Sequence, residues 1–148
     1  MEIIRGALQL SEKHVRDITT PINKVYRLEP ETVIDSELID TIKASGFSRI
    51  PVFNRELTEC YGVLLVKQLV DIDFDQTKPR VDELTLHKTQ LVGSMTALDT
   101  MFRKFIGAHT HLMPVEKDDK IIGIVTIEDL IEEIVGHEIE DETDQYPR

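Results

Sequence analysis

Thr126 and Asp129 stand three residues apart in Gly123-Ile124-Val125-Thr126-Ile127-Glu128-Asp129-Leu130, and their types suit two kinds of chemistry. A glycine-led apolar strand gives way to a helix here, and Thr-x-x-Asp is a capping-box-like pattern with its acid in the first turn. A helix opening at this point directs unpaired N–H groups and a partial positive charge outward, which suits a phosphate. Thr126 would then donate to phosphate while Asp129 accepts from ribose hydroxyls. Alternatively Thr126 only caps the helix and Asp129 only balances its dipole; spacing alone leaves both readings open.

A second segment, Ser45-Gly46-Phe47-Ser48-Arg49-Ile50-Pro51-Val52, holds a guanidinium that can fork onto phosphate oxygens. Ile50 and Val52 would supply an apolar wall for a flat ring. The same residues also fit an edge strand with a solvated arginine, Pro51 falling where no ladder bond is needed. In Asp17-Ile18-Thr19-Thr20-Pro21 two hydroxyls precede a proline that forces extended backbone, and a turn into the first strand accounts for it. No Gly-x-Ser-x-Gly, P-loop or Gly-x-Gly-x-x-Gly occurs. The histidines, His14, His87, His109, His111 and His137, lack dense ligand spacing, and His109-x-His111 reads as a surface pair. Neither catalytic nor metal-ligating residues are expected, so the chain reads as a binding module.

These segments belong to an internal repeat. A helical run from Thr32 to Ile42 ends at Gly46, where glycine can take the left-handed conformation, and its counterpart from Met95 to Ile106 ends at Gly107. Each is followed by a short strand, Arg49 to Phe53 and His111 to Val115, then by a glycine-led strand, Gly62 to Val66 and Gly123 to Val125. Gly46/Gly107 and Gly62/Gly123 are both 61 residues apart. Each second strand runs into a further helix, weak at Lys67 to Val70 and strong at Ile127 to Val135. Short extended segments precede the halves, after Pro21 and around Leu91. The expected architecture is α/β (α+β): two pseudo-symmetric β-α-β-β-α halves, residues 15–73 and 78–137, packed sheet to sheet. An amphipathic helix over residues 1–15 precedes them, and an acidic tail, residues 138–148, follows. Neither half closes a core alone, because a small sheet with a helix pair leaves an apolar face uncovered. Residues 71–80 carry the polar and proline signals of a connection.

Composition narrows the function. The 148 residues suit one domain of ordinary size. A net charge of −11, from 28 acidic against 17 basic residues, excludes nucleic acid as the main partner. Nine of the 28 acids fall between Glu128 and Asp144, a stretch without Lys or Arg, so the rest of the chain carries a net −2. Four of the nine, Glu128, Asp129, Glu132 and Glu133, lie on the helix that opens at Thr126, where a bound triphosphate would add negative charge and Mg²⁺ would ease the repulsion. The single Cys60 excludes an internal disulfide and fits a reducing compartment. No apolar run approaches the ~20 residues that cross a bilayer.

The three motifs in order, Gly6-Ala7-Leu8-Gln9-Leu10 with Val15 to Pro21, Ser45 to Phe53, and Gly123 to Gly136, resemble the tandem CBS motifs, or Bateman module, of the CorC and cyclin-M family. The resemblance covers nearly the whole chain. That family comprises membrane proteins of magnesium and cobalt transport or efflux. The resemblance implies a site for an adenine nucleotide, ATP with Mg²⁺ and with AMP or ADP possible, at Thr20, then Phe47, Ser48, Arg49, Ile50 and Pro51, then Thr126, Glu128 and Asp129. It also implies a homodimer, no catalysis, and a place on the cytoplasmic face beside a membrane domain of the same parent chain. The first half's equivalent of the helix start, Leu65-Val66-Lys67-Gln68, lacks the hydroxyl and the acid, so one nucleotide site per chain is expected. Thr19 stands where the family commonly has methionine, and Phe47 where tyrosine is frequent. The turn Glu116 to Lys120 is short where animal relatives carry a loop that engages a phosphatase. A protein-interaction adaptor with a degenerate nucleotide site is the alternative reading.

Overall fold

The computed structural model describes the backbone of residues 12–145 and the side chains of residues 12–136. The expected N-terminal helix falls mainly on residues 1–11 and, with the Gly6 to Leu10 motif, lies outside them. In chain order the strands are β1 (Thr20–Pro21), β2 (Arg49–Phe53), β3 (Cys60–Leu65), β4 (Val92–Gly93), β5 (Leu112–Lys117) and β6 (Lys120–Thr126); the helices are α1 (Ser36–Ser45), α2 (Leu98–Ala108) and α3 (Ile127–Gln145). The mixed α+β architecture with a repeated helix-strand-strand unit is as expected. α3 runs on through the acids expected to form a separate tail, its backbone helical to Gln145.

Both repeat helices start later than their apolar spacing suggests. Asp35 caps α1, its carboxylate accepting from Leu38 N at 2.8 Å, and the residues before it are extended. Ile34 is fully buried while Val33 is 48% exposed, an alternation of strand type. Gly46 ends α1 in the left-handed region at φ 76°. Gly107 does not repeat that role: α2 continues to Ala108 and His109 takes the left-handed conformation at φ 52°.

The sheets are β2-β3 and β1-β6-β5-β4. Thus β1, which precedes the first half in sequence, pairs with β6 of the second, Thr20 with Ile124 and Pro21 with Gly123. The reciprocal exchange occurs at the other end of the repeat, where His87 bridges Val63 of β3. Two further segments cross in the same way. Val15 N donates to Thr96 O, Arg16 N to Ser94 O and Leu98 N to Lys13 O; Val81 N donates to Thr32 O, Asp82 N to Pro30 O and Ile34 N to Pro79 O, all within 3.0 Å. Lys13 also forms an ion pair with Glu133 of α3.

Each half therefore borrows the segment that leads into the other. One core gathers Leu28, Ile34, Ile42, Ile50, Val52, Leu64 and Leu69 with Val81 from just after the connection. The other gathers Val92, Leu98, Met101, Phe105, Met113, Val115, Val125 and Leu130 with Val15 from the N-terminal side. The leftover apolar face of each half is covered largely by its own helices and the borrowed segment, giving two clusters.

Cys60 opens β3 half-buried, and burial pushes its thiol up from 9.0 to about 11. At pH 8 the native thiolate fraction is then about a hundredfold below that of an unperturbed thiol, since reactivity follows thiolate. Labelling by an aromatic disulfide reagent should be slower by about that factor in the native protein than in denaturant; equal rates would contradict the burial.

Candidate functional site

A cleft of about 370 Å³ opens where the two halves meet. From the first-half elements come Phe47 and Ser48, which follow the end of α1, and Arg49 and Pro51 of β2; from the second come Ile124 and Thr126 of β6 and Glu128 and Asp129 of α3. Thr20 enters from the exchanged strand β1. Eight of the nine expected site residues thus line one cavity. Ile50 is the correction: its side chain is fully buried in the first core and forms no wall of the cleft, because β2 is covered on both faces from Ile50 to Phe53.

The helix start is a reciprocal cap. Asp129 N donates to Thr126 Oγ1 at 3.2 Å, and Thr126 N donates to Asp129 Oδ2 at 3.3 Å. Capping and ligand binding are compatible here. The Thr126 hydroxyl accepts in the cap and keeps its own proton to donate; Asp129 uses one oxygen and has a second. The cap holds both groups at the cleft before any ligand arrives.

Sequence reasoning missed Lys24, Val25, Tyr26, His111 and Leu112, which complete the lining with Gly46 and Ile124. Tyr26 stacks on Phe47 with ring centroids 6.3 Å apart and planes 22° from parallel. Phe47 stays 52% exposed, so one aromatic face is propped open at the cleft. His111 carries the start of α3, its carbonyl accepting from Ile127 N at 3.0 Å, and its Nδ1 lies 3.8 Å from Glu128 Oε1. The repeat held the signal for His111, which follows α2 much as Arg49 follows α1. Thr19 does not line the cleft; its hydroxyl donates to Val15 O at 2.7 Å.

A pair of such units sharing strands across a common cleft, with a hydroxyl–acid helix start on one side and an arginine strand on the other, defines a CBS pair. A family model for the CBS domain matches residues 91–136. Protein MAM3 of Saccharomyces cerevisiae is 34% identical over 149 residues, covering 97% of this chain and 21% of that protein. A DUF21 domain-containing protein of Arabidopsis thaliana is 35% identical over 116 residues, covering 78% of this chain and 22% of that protein. The chain therefore spans about a fifth of the length of these curated relatives. Among solved structures, the CBS domain of the bacterial CNNM/CorC family Mg²⁺ transporter in complex with ATP superposes with a TM-score of 0.79 at 28% identity, covering 91% of this chain and 96% of that one. The chain thus carries a CBS domain over residues 91–136, and its fold as a whole is similar to the CBS modules of CNNM/CorC-family transporters. Among the described residues no helix is long and apolar enough to cross a membrane.

Proposed function

We propose that the chain is a regulatory module that takes an adenine nucleotide, ATP with Mg²⁺ foremost and AMP or ADP besides, in the cleft between Arg49 and Asp129. The observation that carries this reading is the convergence of Thr20, Ser48, Arg49, Thr126 and Asp129, distant in sequence, on one cavity whose volume lies within the roughly 300–1,000 Å³ of small-molecule sites. The exposed face of Phe47 suits the base, Asp129 the ribose, and Arg49, Lys24 and the Thr126 helix start the phosphates. Glu128 beside them makes Mg²⁺ the natural counter-ion of a triphosphate. A relative's CBS domain with ATP bound supports the assignment.

No bond is made or broken in this mechanism. The nucleotide touches both halves, binds one of their arrangements more tightly, and shifts the population toward it; equal affinity would shift nothing. The change passes to a membrane domain of a longer parent protein that moves magnesium or cobalt, with this module at the cytoplasmic face. Two copies pair through apolar surface on α2 and α3, where Ile106, Ile131 and Val135 are 43–58% exposed.

Calorimetric titration with ATP, with and without Mg²⁺, tests the reading. The wild type should bind, more tightly with Mg²⁺. Asp129→Asn keeps an acceptor for the cap but loses the charge, and should weaken binding about tenfold or more, the worth of a charged hydrogen bond. No heat from the wild type at millimolar nucleotide would sink the proposal and leave the adaptor reading.

A further inference from the structure

The pseudo-symmetry that builds the nucleotide cleft builds a second cavity: where Lys24 and Arg49 are balanced by Glu128 and Asp129 in the first, the charged lining of the second is cationic. The pair Thr20–Ile124 at the first cleft corresponds to His87–Val63, and β6 with the start of α3 corresponds, 61 residues earlier, to β3 and the short 3₁₀ turn Val66–Leu69. Thr126, Glu128 and Asp129 thereby become Leu65, Lys67 and Gln68. Gln68 reproduces the structural half of Asp129's work, its Oε1 accepting from Leu65 N at 2.9 Å. Its amide also donates to Thr85 O at 2.6 Å, so it is held within the fold and carries no charge.

Around this equivalent position lies a cleft of about 250 Å³ whose polar lining is Arg49, Lys67, His87, Lys88, His109, His111 and Thr110. Three of the chain's 17 basic residues and three of its five histidines meet there, and among the described residues no carboxylate does. In a chain of net charge −11 such a concentration of one sign is the reverse of what composition provides, and a cleft of one sign focuses potential on its contents. The lining offers N–H donors to anionic oxygens and has no acid to accept from a ribose.

We infer that this second cleft binds a polyphosphate-type anion, recognised through its phosphates alone. The inference goes beyond nucleotide binding in the first cleft and does not require it. Arg49 and His111 line both cavities, so the phosphates can be those of a free inorganic polyanion or the tail of a nucleotide seated next door.

The experiment is calorimetric titration with inorganic tripolyphosphate, and separately with ATP, of the wild type, the Lys67→Ala/Lys88→Ala double variant and Asp129→Asn. Lys67 and Lys88 are exposed and line no part of the first cleft, so the double variant should fold normally. Tripolyphosphate is expected to bind the wild type and Asp129→Asn alike, and the double variant about tenfold or more weakly. If only ATP is weakened by the double variant, the second cleft serves the nucleotide's tail. If neither anion is weakened, or if tripolyphosphate is lost on Asp129→Asn and not in the double variant, the inference is overturned. Failure of the nucleotide reading shows separately, as ATP binding that is indifferent to Asp129→Asn.

Discussion

Replacing Gly123 by alanine is expected to destabilise the protein by about 3 kcal/mol or more, as read from denaturant unfolding, placing it among severe single substitutions. The reason is the exchanged strand. A methyl group at Gly123 would sit well inside van der Waals contact distance of the Thr20 carbonyl oxygen and 2.7 Å from Thr19 Cγ2. The obstacle is backbone, so relief requires β1 to leave β6. That movement would break the pairing that holds β1, an edge strand among the described residues, to its sheet and take Thr20 from the nucleotide cleft. Gly62 meets the same constraint in the first half: its methyl would lie 2.7 Å from His87 O, at a φ of +133° that side chains rarely adopt. Gly107 supplies the contrast. It lies inside α2 with nothing within 4 Å of an added methyl, so Gly107→Ala should raise stability by roughly 0.5–1 kcal/mol. Equal losses at positions 107 and 123 would refute the assignment of β1 to β6.

The repeat in the sequence treats these glycines alike, and that is the limit of its legibility. Two glycine pairs at a common spacing of 61 were visible; their reasons were not. Gly62 and Gly123 are small because another backbone passes over them, a property of chain crossing that leaves no local periodic trace. The helix starts failed for a related cause. Thr32 to Ile34 and Ser94 to Thr96 have residues that fit a helical stripe, but their backbone groups are committed to the crossing segments Pro79 to Asp82 and Lys13 to Arg16. A tertiary partner for an extended backbone outweighs propensity over so few residues.

At the cleft the local chemistry was better marked. Thr126, Asp129 and Arg49 could be singled out because each sits at the junction of a strand with a helix or turn, where a hydroxyl, an acid and a forked cation have distinctive uses, but only the family resemblance chose binding over capping and added Ser48. Tyr26 and Lys24 could not be singled out. They follow the exchanged strand, and their presence at the cleft depends on where that strand goes. Ile50 and Val52 misled because an apolar strand residue suits a ring or a core equally well, and both side chains are fully buried in the first core.

Separating the chain within its connection should abolish folding of both pieces, although residues 71–80 look like a linker between two motifs. A fragment of residues 12–75 lacks Val81, which is fully buried in the first core, and His87, which pairs with Val63. A fragment of residues 76–145 lacks Val15, fully buried in the second core, and the β1 partner of β6. Burying a valine contributes roughly 1.5–3 kcal/mol, a large share of the roughly 5–15 kcal/mol that holds a domain together, and each piece also loses backbone bonds to its borrowed segment. Each fragment alone should show no cooperative thermal transition by circular dichroism. Mixed at equal concentration, the two should recover one, because the crossing segments can then find their partners. A fragment of residues 22–90, which gives the first core its own borrowed segment and ends before the second begins, should retain more helix and a broader transition than residues 12–75. If residues 12–75 fold as well as residues 22–90, the exchange contributes nothing to stability, and the cleft would then owe its shape to the two halves docking as independent bodies.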